Sequence, residues 1–334
     1  MNQFVQIAQN AFSFVIPRFL RERLAHIDWI LFFSALLIAL AGLVTMNSFI
    51  EEQSYFFEKQ LIWLVVSLAL FFLTSMIDFH FLRKTGVIVS IFIFIAAVLT
   101  LLFTLGHVAK GAQSWFNLGA FSIQPSDPAK LIIILLLAKY FTRRHVEIAH
   151  IRHIFVSGIY ALVMFLLILL QPDFGGAIII FLLWFGMVMV SGLSKKHLIA
   201  VLLVGTVCFL GLWLYAFKDY QKQRIMTFIN PLADVRGAGY NAYQSMIAVG
   251  SGQILGKGVG YGTQSKLRFL PEYQTDFIFA AFAEEWGLVG VIILFGLFGV
   301  LIWRILASAL RGSSNFETLF GIGLTILFMT HFVI

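Results

Sequence analysis

The sequence predicts an all-α protein built as a polytopic bundle of transmembrane helices, and three observations lead to this fold class. Of its 334 residues, 60% are hydrophobic and only 12% are charged, whereas a soluble domain carries about 25% charged residues. The mean hydropathy is +0.94. About nine largely apolar runs, separated by polar segments, follow one another along the chain. This composition argues against a soluble globular core.

The apolar runs define the predicted spans. We place about nine of them, at residues 28–49, 61–77, 86–107, 131–140, 154–170, 175–191, 198–217, 276–303 and 318–334. The fourth is too short to cross a hydrocarbon core of about 30 Å, so we expect it to extend through Pro128 or to lie partly in a cavity. Residues 1–27 are predicted to be a cytoplasmic or interfacial segment, and residues 218–275 a large extracytoplasmic loop. Residues 1–334 are predicted to form a single membrane domain.

Lysine and arginine residues predict the orientation, because cytoplasmic loops of membrane proteins carry an excess of them. With the N-terminus in the cytoplasm, the loops on that side contain Arg18, Arg21, Arg23, Arg83, Lys84, Arg143, Arg144, Arg152, Lys195, Lys196, Arg304 and Arg311. The short outer loops then hold only Lys59, Lys110 and Lys130. This orientation explains most of the net charge of +7, and we expect no nucleic-acid partner. The single cysteine, Cys208, excludes a disulfide framework.

Asp276 begins the eighth predicted span, within "LPEYQTDFIFAAFAEEWGLVG" at residues 270–290. Thr275 is its predicted N-cap, and two roles for the acid are open. Asp276 could stabilise the first helical turn through the helix dipole, by about 0.3–1 kcal/mol. Alternatively, it could be partly desolvated between the polar loop and the apolar helix and serve there as a general base.

Glu284 and Glu285 lie about two and a half turns deeper in the same predicted span. Ionisable groups at membrane depth are costly and usually find a partner of opposite charge. We therefore expect these acids to pair with a basic residue of a neighbouring helix.

Asp127 and Lys130 occur in "QPSDPAKL", residues 124–131. On a helix that starts near Pro125 or Ser126, two residues three apart share a face, so these two side chains can meet. Two interpretations are open: a local ion pair at the start of a helix, or a lysine held by an acid so that it can face an anionic substrate.

Four alternating glycines occur in "GKGVGYG", residues 256–262. The pattern does not match a nucleotide-binding loop of the Walker A type, which would need Gly at position 251 and Ser or Thr at position 258. We predict a flexible or close-packed loop whose backbone N–H groups could still contact a pyrophosphate.

Together these motifs resemble the SEDS family (shape, elongation, division and sporulation). The resemblance is carried by "QPSDPAKL", by "QPDFGG" at residues 171–176, and by "GSGQILGKGVGYGTQSKLRFLPEYQTDFIFAAFAEEWGLVG" at residues 250–290. It covers nearly the whole chain from Asp28 onward and is most specific over residues 263–290, whose form is more similar to the elongation branch than to the division branch. Family members have about ten helices, so the chain resembles a C-terminally incomplete member.

The resemblance implies an enzyme: a peptidoglycan glycosyltransferase that polymerises lipid II into glycan strands during cell elongation and shape maintenance. Lipid II is a disaccharide peptide linked to undecaprenyl pyrophosphate. The implied location is the bacterial inner membrane, with the active site facing outward. Implied protein partners are a class B penicillin-binding protein, which is a transpeptidase, and other membrane proteins of the elongation machinery. No cofactor is implied with certainty, and Mg²⁺ or Mn²⁺ is a candidate.

The resemblance also assigns residues. Asp276 corresponds to the essential aspartate of the family and is the predicted catalytic base. The predicted substrate-binding residues are Lys130, Asp127, Gln124, Ser126, Trp115, Thr263, Gln264, Glu272 and Thr275. Two positions depart from the family pattern. Asp127 stands where the family usually has Glu, and Ser114 stands where it usually has Arg, so one cation of the substrate site is missing.

Two alternatives to a polymerase remain open at this stage. A flippase that moves lipid II across the membrane would also place ionisable groups along a lipid-head pathway. A non-catalytic scaffold for a penicillin-binding protein would tolerate the loss of Asp276. The concentration of acids on the predicted outer side favours the enzyme.

Overall fold

The computed structural model describes residues 27–48, 54–109, 112–117, 119, 122–143, 151–192, 194–237 and 239–333. These residues fall into two compact units. The first unit comprises the described residues of Met1–Asp78 and Gly211–Leu301, and the second those of Phe79–Leu210 and Ile302–Ile334. The predicted single membrane domain stays a prediction.

The described elements are mostly helices. In chain order they are α1 (Trp29–Asn47), α2 (Ser54–Met76), a 3-10 helix (Phe79–Arg83), α3 (Thr85–Leu105), β1 (His107–Ala109), β2 (Ala112–Asn117), β3 (Ser122–Ile123), α4 (Ser126–Arg143), α5 (Ile151–Leu169), α6 (Phe174–Val190), α7 (Lys195–Gly211), a π-helical turn (Leu212–Ala216), α8 (Asp219–Ile229), a 3-10 helix (Pro231–Asp234), α9 (Tyr240–Ser251), α10 (Thr263–Lys266), α11 (Ile278–Leu310) and α12 (Asn315–Val333).

Seven of the described helices are long and apolar enough to cross a membrane, which confirms a polytopic helical membrane protein. They are α1, α2, α3, α5, α7 together with the π-helical turn that follows it, α11 and α12. Each predicted span corresponds to a helix, although α2 starts at Ser54 instead of residue 61. The polar residues before position 61 continue the helix, because only its apolar part has to match the hydrocarbon core.

The fourth predicted span is the centre of the second unit. As expected, α4 extends through Pro128 and starts at Ser126. It contacts α3, α5, α6 and α12, and its side chains from Ile132 to Ala138 are all buried.

Glycines let neighbouring helices approach closely within the second unit. A Cβ on Gly323 of α12 would lie 2.4 Å from Ile134 Cγ2 of α4, and one on Gly321 would lie 2.4 Å from Ala309 Cβ of α11. Lipid tails are as apolar as leucine, so close packing of this kind, more than the hydrophobic effect, holds membrane helices together.

A small antiparallel sheet lies between α3 and α4, and the sequence analysis did not predict it. Its strand order is β1-β2-β3, with His107 opposite Trp115 and Phe116 opposite Ile123. The sheet places Trp115 on its middle strand.

Helix α11 is interrupted at Gly287, where φ is 63° and ψ is −167°. The backbone of residues 253–258 fills this break. The N–H groups of Lys257 and Gly258 donate to the carbonyl oxygens of Glu284 and Glu285, both at 3.0 Å. On the other side of the break, Leu288 N–H donates to Gln253 O at 2.9 Å, and Val289 N–H donates to Ile254 O at 3.1 Å.

Glycine is required on both sides of this contact. Gly256 has φ of 80°, and a Cβ there would lie 2.1 Å from Glu285 O. A Cβ on Gly287 would lie 2.2 Å from Gly256 N. The close-packed alternative for the glycine loop is therefore confirmed at Gly256. The loop replaces the hydrogen bonds that the break removes, and each such group would cost several kcal/mol if left unsatisfied in hydrocarbon.

We expect Gly287→Ala to lower the free energy of unfolding by about 1–3 kcal/mol, because alanine is strained at this φ and its Cβ meets the loop backbone. Gly296→Ala in the same helix is the matched control, since nothing lies within 4 Å of a Cβ there. Reversible unfolding in detergent would compare the two variants. Equal stability of both would show that Gly287 is not constrained as described.

Candidate functional site

Lys130 of α4 is the centre of a polar cluster in the second unit. Its side chain is 7% exposed, and its Nζ donates to Asp127 Oδ1 at 2.8 Å, which confirms the predicted pairing. The Asp127 side chain is 63% exposed. His331 of α12 brings its Nε2 to 3.4 Å from Lys130 Nζ, where a neutral ring nitrogen can accept from the ammonium.

His331 was not predicted as a site residue. It lies 201 positions from Lys130, and no local spacing relates the two. Its place at the end of an apolar helix was the only available signal.

The "QPSD" and "QPDF" stretches meet in the second unit. Gln124 Nε2 donates to Asp173 Oδ2 at 3.2 Å, while Asp173 Oδ1 accepts from Gly176 N–H at 2.8 Å and so caps α6. The predicted residue Ser126 is buried, and its Oγ has no hydrogen-bond partner among the described residues. Ser114 is also buried, and its Oγ also has no hydrogen-bond partner among the described residues, whereas Trp115 is 36% exposed. The structure thus brings Gln124 to an acid that was not among the predicted site residues.

Glu284 is the centre of a second cluster, which belongs to the first unit. Its side chain is fully buried, and Oε1 accepts from Lys257 Nζ at 2.7 Å. The same oxygen accepts from Thr263 N at 2.8 Å, Thr263 Oγ1 at 3.0 Å, Gln264 N at 3.1 Å and Ser251 Oγ at 3.3 Å. Lys257 Nζ also donates to Thr263 Oγ1 at 2.7 Å.

Glu285, the next residue, binds two other segments of the first unit. Its Oε1 accepts from Gly260 N at 3.0 Å and from Ser48 Oγ, which follows α1. Its Oε2 has no hydrogen-bond partner among the described residues.

The structure corrects one prediction about this region and narrows another. Glu284 pairs with a lysine of the glycine loop and not with a basic residue of a neighbouring helix, because the break in α11 draws the loop against it. The backbone N–H groups of Lys257, Gly258 and Gly260 donate to Glu284 and Glu285, so these three are not free to bind a pyrophosphate. Contact of a pyrophosphate with other N–H groups of the loop stays a prediction.

Asp276 lies in a turn before α11, which starts at Ile278. The predicted N-cap role of Thr275 is wrong, because Glu272 O accepts from both Thr275 N and Phe277 N and so closes a turn there. Thr275 Oγ1 contacts Glu272 Oε2 at 3.1 Å. Asp276 is exposed, so the expected partial desolvation is not observed.

The predicted site residues are divided between the two units. Trp115, Gln124, Ser126, Asp127 and Lys130 belong to the second unit. The first unit contains a continuous segment that carries Thr263, Gln264, Glu272, Thr275 and Asp276. The hydroxyl of Thr263 is held by Glu284 and Lys257, and the side-chain oxygen of Gln264 is buried without a partner among the described residues.

No group of three or more His, Cys, Asp or Glu side chains able to hold a metal occurs in the part of the chain that the structure describes. Asp127 and Asp276 are exposed carboxylates of the type that Mg²⁺ and Mn²⁺ prefer, one in each unit. Each supplies a single carboxylate, so neither is by itself a preformed metal site.

The FtsW/RodA/SpoVE family model, described as a cell cycle protein, matches residues 22–334 of the chain. The peptidoglycan glycosyltransferase MrdB of Escherichia coli K12 is 43% identical over 230 residues, which cover 68% of this chain and 62% of MrdB. The chain thus spans less than two thirds of that relative. The stage V sporulation protein E of Bacillus subtilis is 34% identical over 306 residues, which cover 89% of this chain and 83% of that protein.

Two solved structures share the fold. One is of a peptidoglycan synthase complex that coordinates polymerization and crosslinking. It matches with a TM-score of 0.76 and 29% identity, and the match covers 90% of this chain and 84% of that chain. The other is the rod shape determining protein RodA of Thermus thermophilus, with a TM-score of 0.64 and 28% identity, where the match covers 90% and 81%.

Asp173→Ala should lower the free energy of unfolding by about 0.5–2 kcal/mol, because α6 loses its N-cap and Gln124 loses its acceptor. Glu58→Ala, an exposed acid within α2, should change it by less than about 0.5 kcal/mol. Denaturant titration in detergent would measure both. No difference between them would mean that Asp173 does not cap α6 in solution.

Proposed function

The chain belongs to the FtsW/RodA/SpoVE family of cell cycle proteins, the SEDS family, and on that premise we propose that it is a peptidoglycan glycosyltransferase that polymerises lipid II. The observation that carries the proposal is the exposed carboxylate of Asp276, presented directly before the apolar helix α11. The name of the relative MrdB, a peptidoglycan glycosyltransferase, supports the same activity.

The place of Asp276 suits a lipid-linked sugar. Lipid II keeps its polyprenyl tail in the bilayer and its sugars at the interface, so chemistry on it needs a catalytic group where a membrane helix meets a polar segment. Asp276 stands at such a boundary, between the polar turn that closes on Glu272 and the first residues of α11.

In the proposed reaction, a sugar hydroxyl of the acceptor attacks the anomeric carbon of the donor glycan. Asp276 takes the proton of that hydroxyl as the new glycosidic bond forms, and the bond from the anomeric carbon to the pyrophosphate oxygen breaks. The leaving undecaprenyl pyrophosphate keeps the electron pair and needs little protonation. General-base assistance of this kind contributes about 10²–10⁴-fold in rate.

Lys130 is proposed to bind the anionic part of the substrate. Asp127 and His331 account for two of the three donors on its ammonium, and the exposure of Asp127 indicates that polar ligands can reach this end of α4. A positive charge held in this way would stabilise the departing pyrophosphate. A bound Mg²⁺ or Mn²⁺ would supply further charge compensation, with the exposed carboxylate of Asp127 as a candidate ligand.

Localisation and partners follow from the family and the charge pattern. We propose the bacterial inner membrane, with the N-terminus in the cytoplasm and Asp276 facing outward, from the excess of basic residues in the loops assigned to the cytoplasm.

Similarity to a complex that couples polymerization to crosslinking supports a class B penicillin-binding protein as partner. The 43% identity to MrdB and the likeness to RodA support a role in elongation and shape maintenance.

Replacing Asp276 should strongly slow glycan synthesis. We expect Asp276→Asn and Asp276→Ala to lower the rate of lipid II polymerisation by about 10²–10⁴-fold, because the proton of the acceptor hydroxyl loses its base. Asp219→Asn, another exposed acid of the first unit, should leave the rate unchanged.

The assay uses labelled lipid II, the purified protein and its class B partner, with thermal stability and partner co-purification as folding controls. Undiminished synthesis by folded Asp276 variants would show that another residue is the general base. Absence of chains with wild type, while the partner still binds, would favour a scaffold, and a translocation assay would then test the flippase.

Lys130→Met should lower the polymerisation rate by about 10²–10³-fold, as expected when one charge-stabilising donor is removed. Lys139→Met on the same helix is the control. Lys139 Nζ lies 5.8 Å from the Phe316 ring, outside the predicted site, so this variant should keep its activity. Equal rates for the two variants would rule out the proposed role of Lys130.

A further inference from the structure

One buried carboxylate oxygen of α11 holds both the glycine loop and the segment that follows it. Glu284 Oε1 accepts from Lys257 at the end of the loop insertion, and from the first two N–H groups of the short helix α10. The loop backbone is also bonded to both sides of the break in α11. Glu284 therefore fixes the position along α11 at which the loop and the start of α10 are docked.

The chain from α10 to Asp276 is tied at several points. Leu270 N donates to Gln264 O at 3.1 Å, and the fully buried Leu270 packs with Tyr273, Ala280 and Ala281. The turn closed by Glu272 then leads through Asp276 into α11. Residues 263–284 thus form a closed ring, because both ends are attached at Glu284: one by hydrogen bonds and the other by the peptide chain.

We propose that Glu284 and Lys257 are positioning residues for the glycosyl transfer, which hold the segment 263–276 so that Asp276 keeps a fixed place at the start of α11. The kinetic part of this proposal rests on the proposed function, whereas the docking of the segment does not. Neither residue is proposed to touch the substrate.

Charge makes this docking specific. Glu284 is fully buried in a helix of membrane-spanning length, while the side chain of Lys257 is 27% exposed and lies on the loop. If the loop moved away, a buried carboxylate would lose its counter-charge and most of its donors, which is unfavourable in a medium of low dielectric constant. A neutral pair could keep the fold but would lose this penalty for a displaced loop.

Hydrogen exchange and steady-state kinetics on the full chain test the proposal. The variants are Glu284→Gln, Lys257→Met and the double variant. Glu317→Gln is the matched control, since Glu317 pairs with Arg83 in the second unit. Exchange is followed by mass spectrometry in peptides covering residues 257–276 and, for reference, in α6.

We expect Glu284→Gln to speed exchange of residues 257–276 by about tenfold or more while α6 is unchanged. We expect kcat to fall by about tenfold or more, with KM changed by less than about threefold, because a small displacement of a catalytic group acts on the chemical step. The double variant should be more thermally stable than the single variants, but its kcat should stay low and its exchange fast. Glu317→Gln should change neither the exchange of residues 257–276 nor kcat.

Three results would overturn the proposal. One is exchange of residues 257–276 at the wild-type rate in Glu284→Gln, and another is a wild-type kcat despite faster exchange. The third is recovery of kcat together with thermal stability in the double variant, which would make the pair a stabilising contact only. If wild type makes no glycan chains, the proposed function fails, and the exchange measurement alone decides whether the pair positions the segment.

Discussion

The need to satisfy every backbone hydrogen-bonding group inside a membrane governs the first unit. Gly287 interrupts α11, and the two halves of that helix would leave carbonyl and N–H groups without partners. Residues 253–258 supply the partners on both sides, which requires glycine at positions 256 and 287. These loop contacts explain the glycine pattern. They also explain why the buried Glu284 pairs with Lys257, because the loop brings Lys257 and the start of α10 to the helix.

The second unit follows a different rule, that of close packing around α4. Small residues on α12 allow it to approach α4 and α6, and the approach carries His331 to Lys130. Lys130 is thus held at the polar end of a buried helix by one acid and one imidazole. A cation so placed is protected from solvent on most sides, while its acidic partner stays accessible. Such an arrangement suits recognition of an anion that approaches from solvent.

Reasoning from the sequence predicted the features that depend on local patterns of residues. Composition and apolar runs predicted the class and the approximate spans, and the three-residue spacing of Asp127 and Lys130 predicted their ion pair. The pair of Lys257 and Glu284 is separated by 27 positions, and no periodicity relates its members. The break at Gly287 was also missed, since a glycine within an apolar run is normally tolerated in a helix. Its special role becomes visible only once the contact with residues 253–258 is known. Thr275 and Asp276 have the right residue types for a helix start, but the turn at Glu272 decides where the helix begins.

The repaired break also has a consequence for how the chain enters the bilayer. A membrane helix normally forms on insertion and packs with others afterwards. The final form of α11 cannot arise in that way, because four of its backbone bonds are made with residues 253–258 of the preceding segment. The helix must either enter as a continuous helix and open at Gly287 later, or enter together with the loop. In both cases biogenesis of this helix ends only when a part of the chain synthesised earlier returns to it.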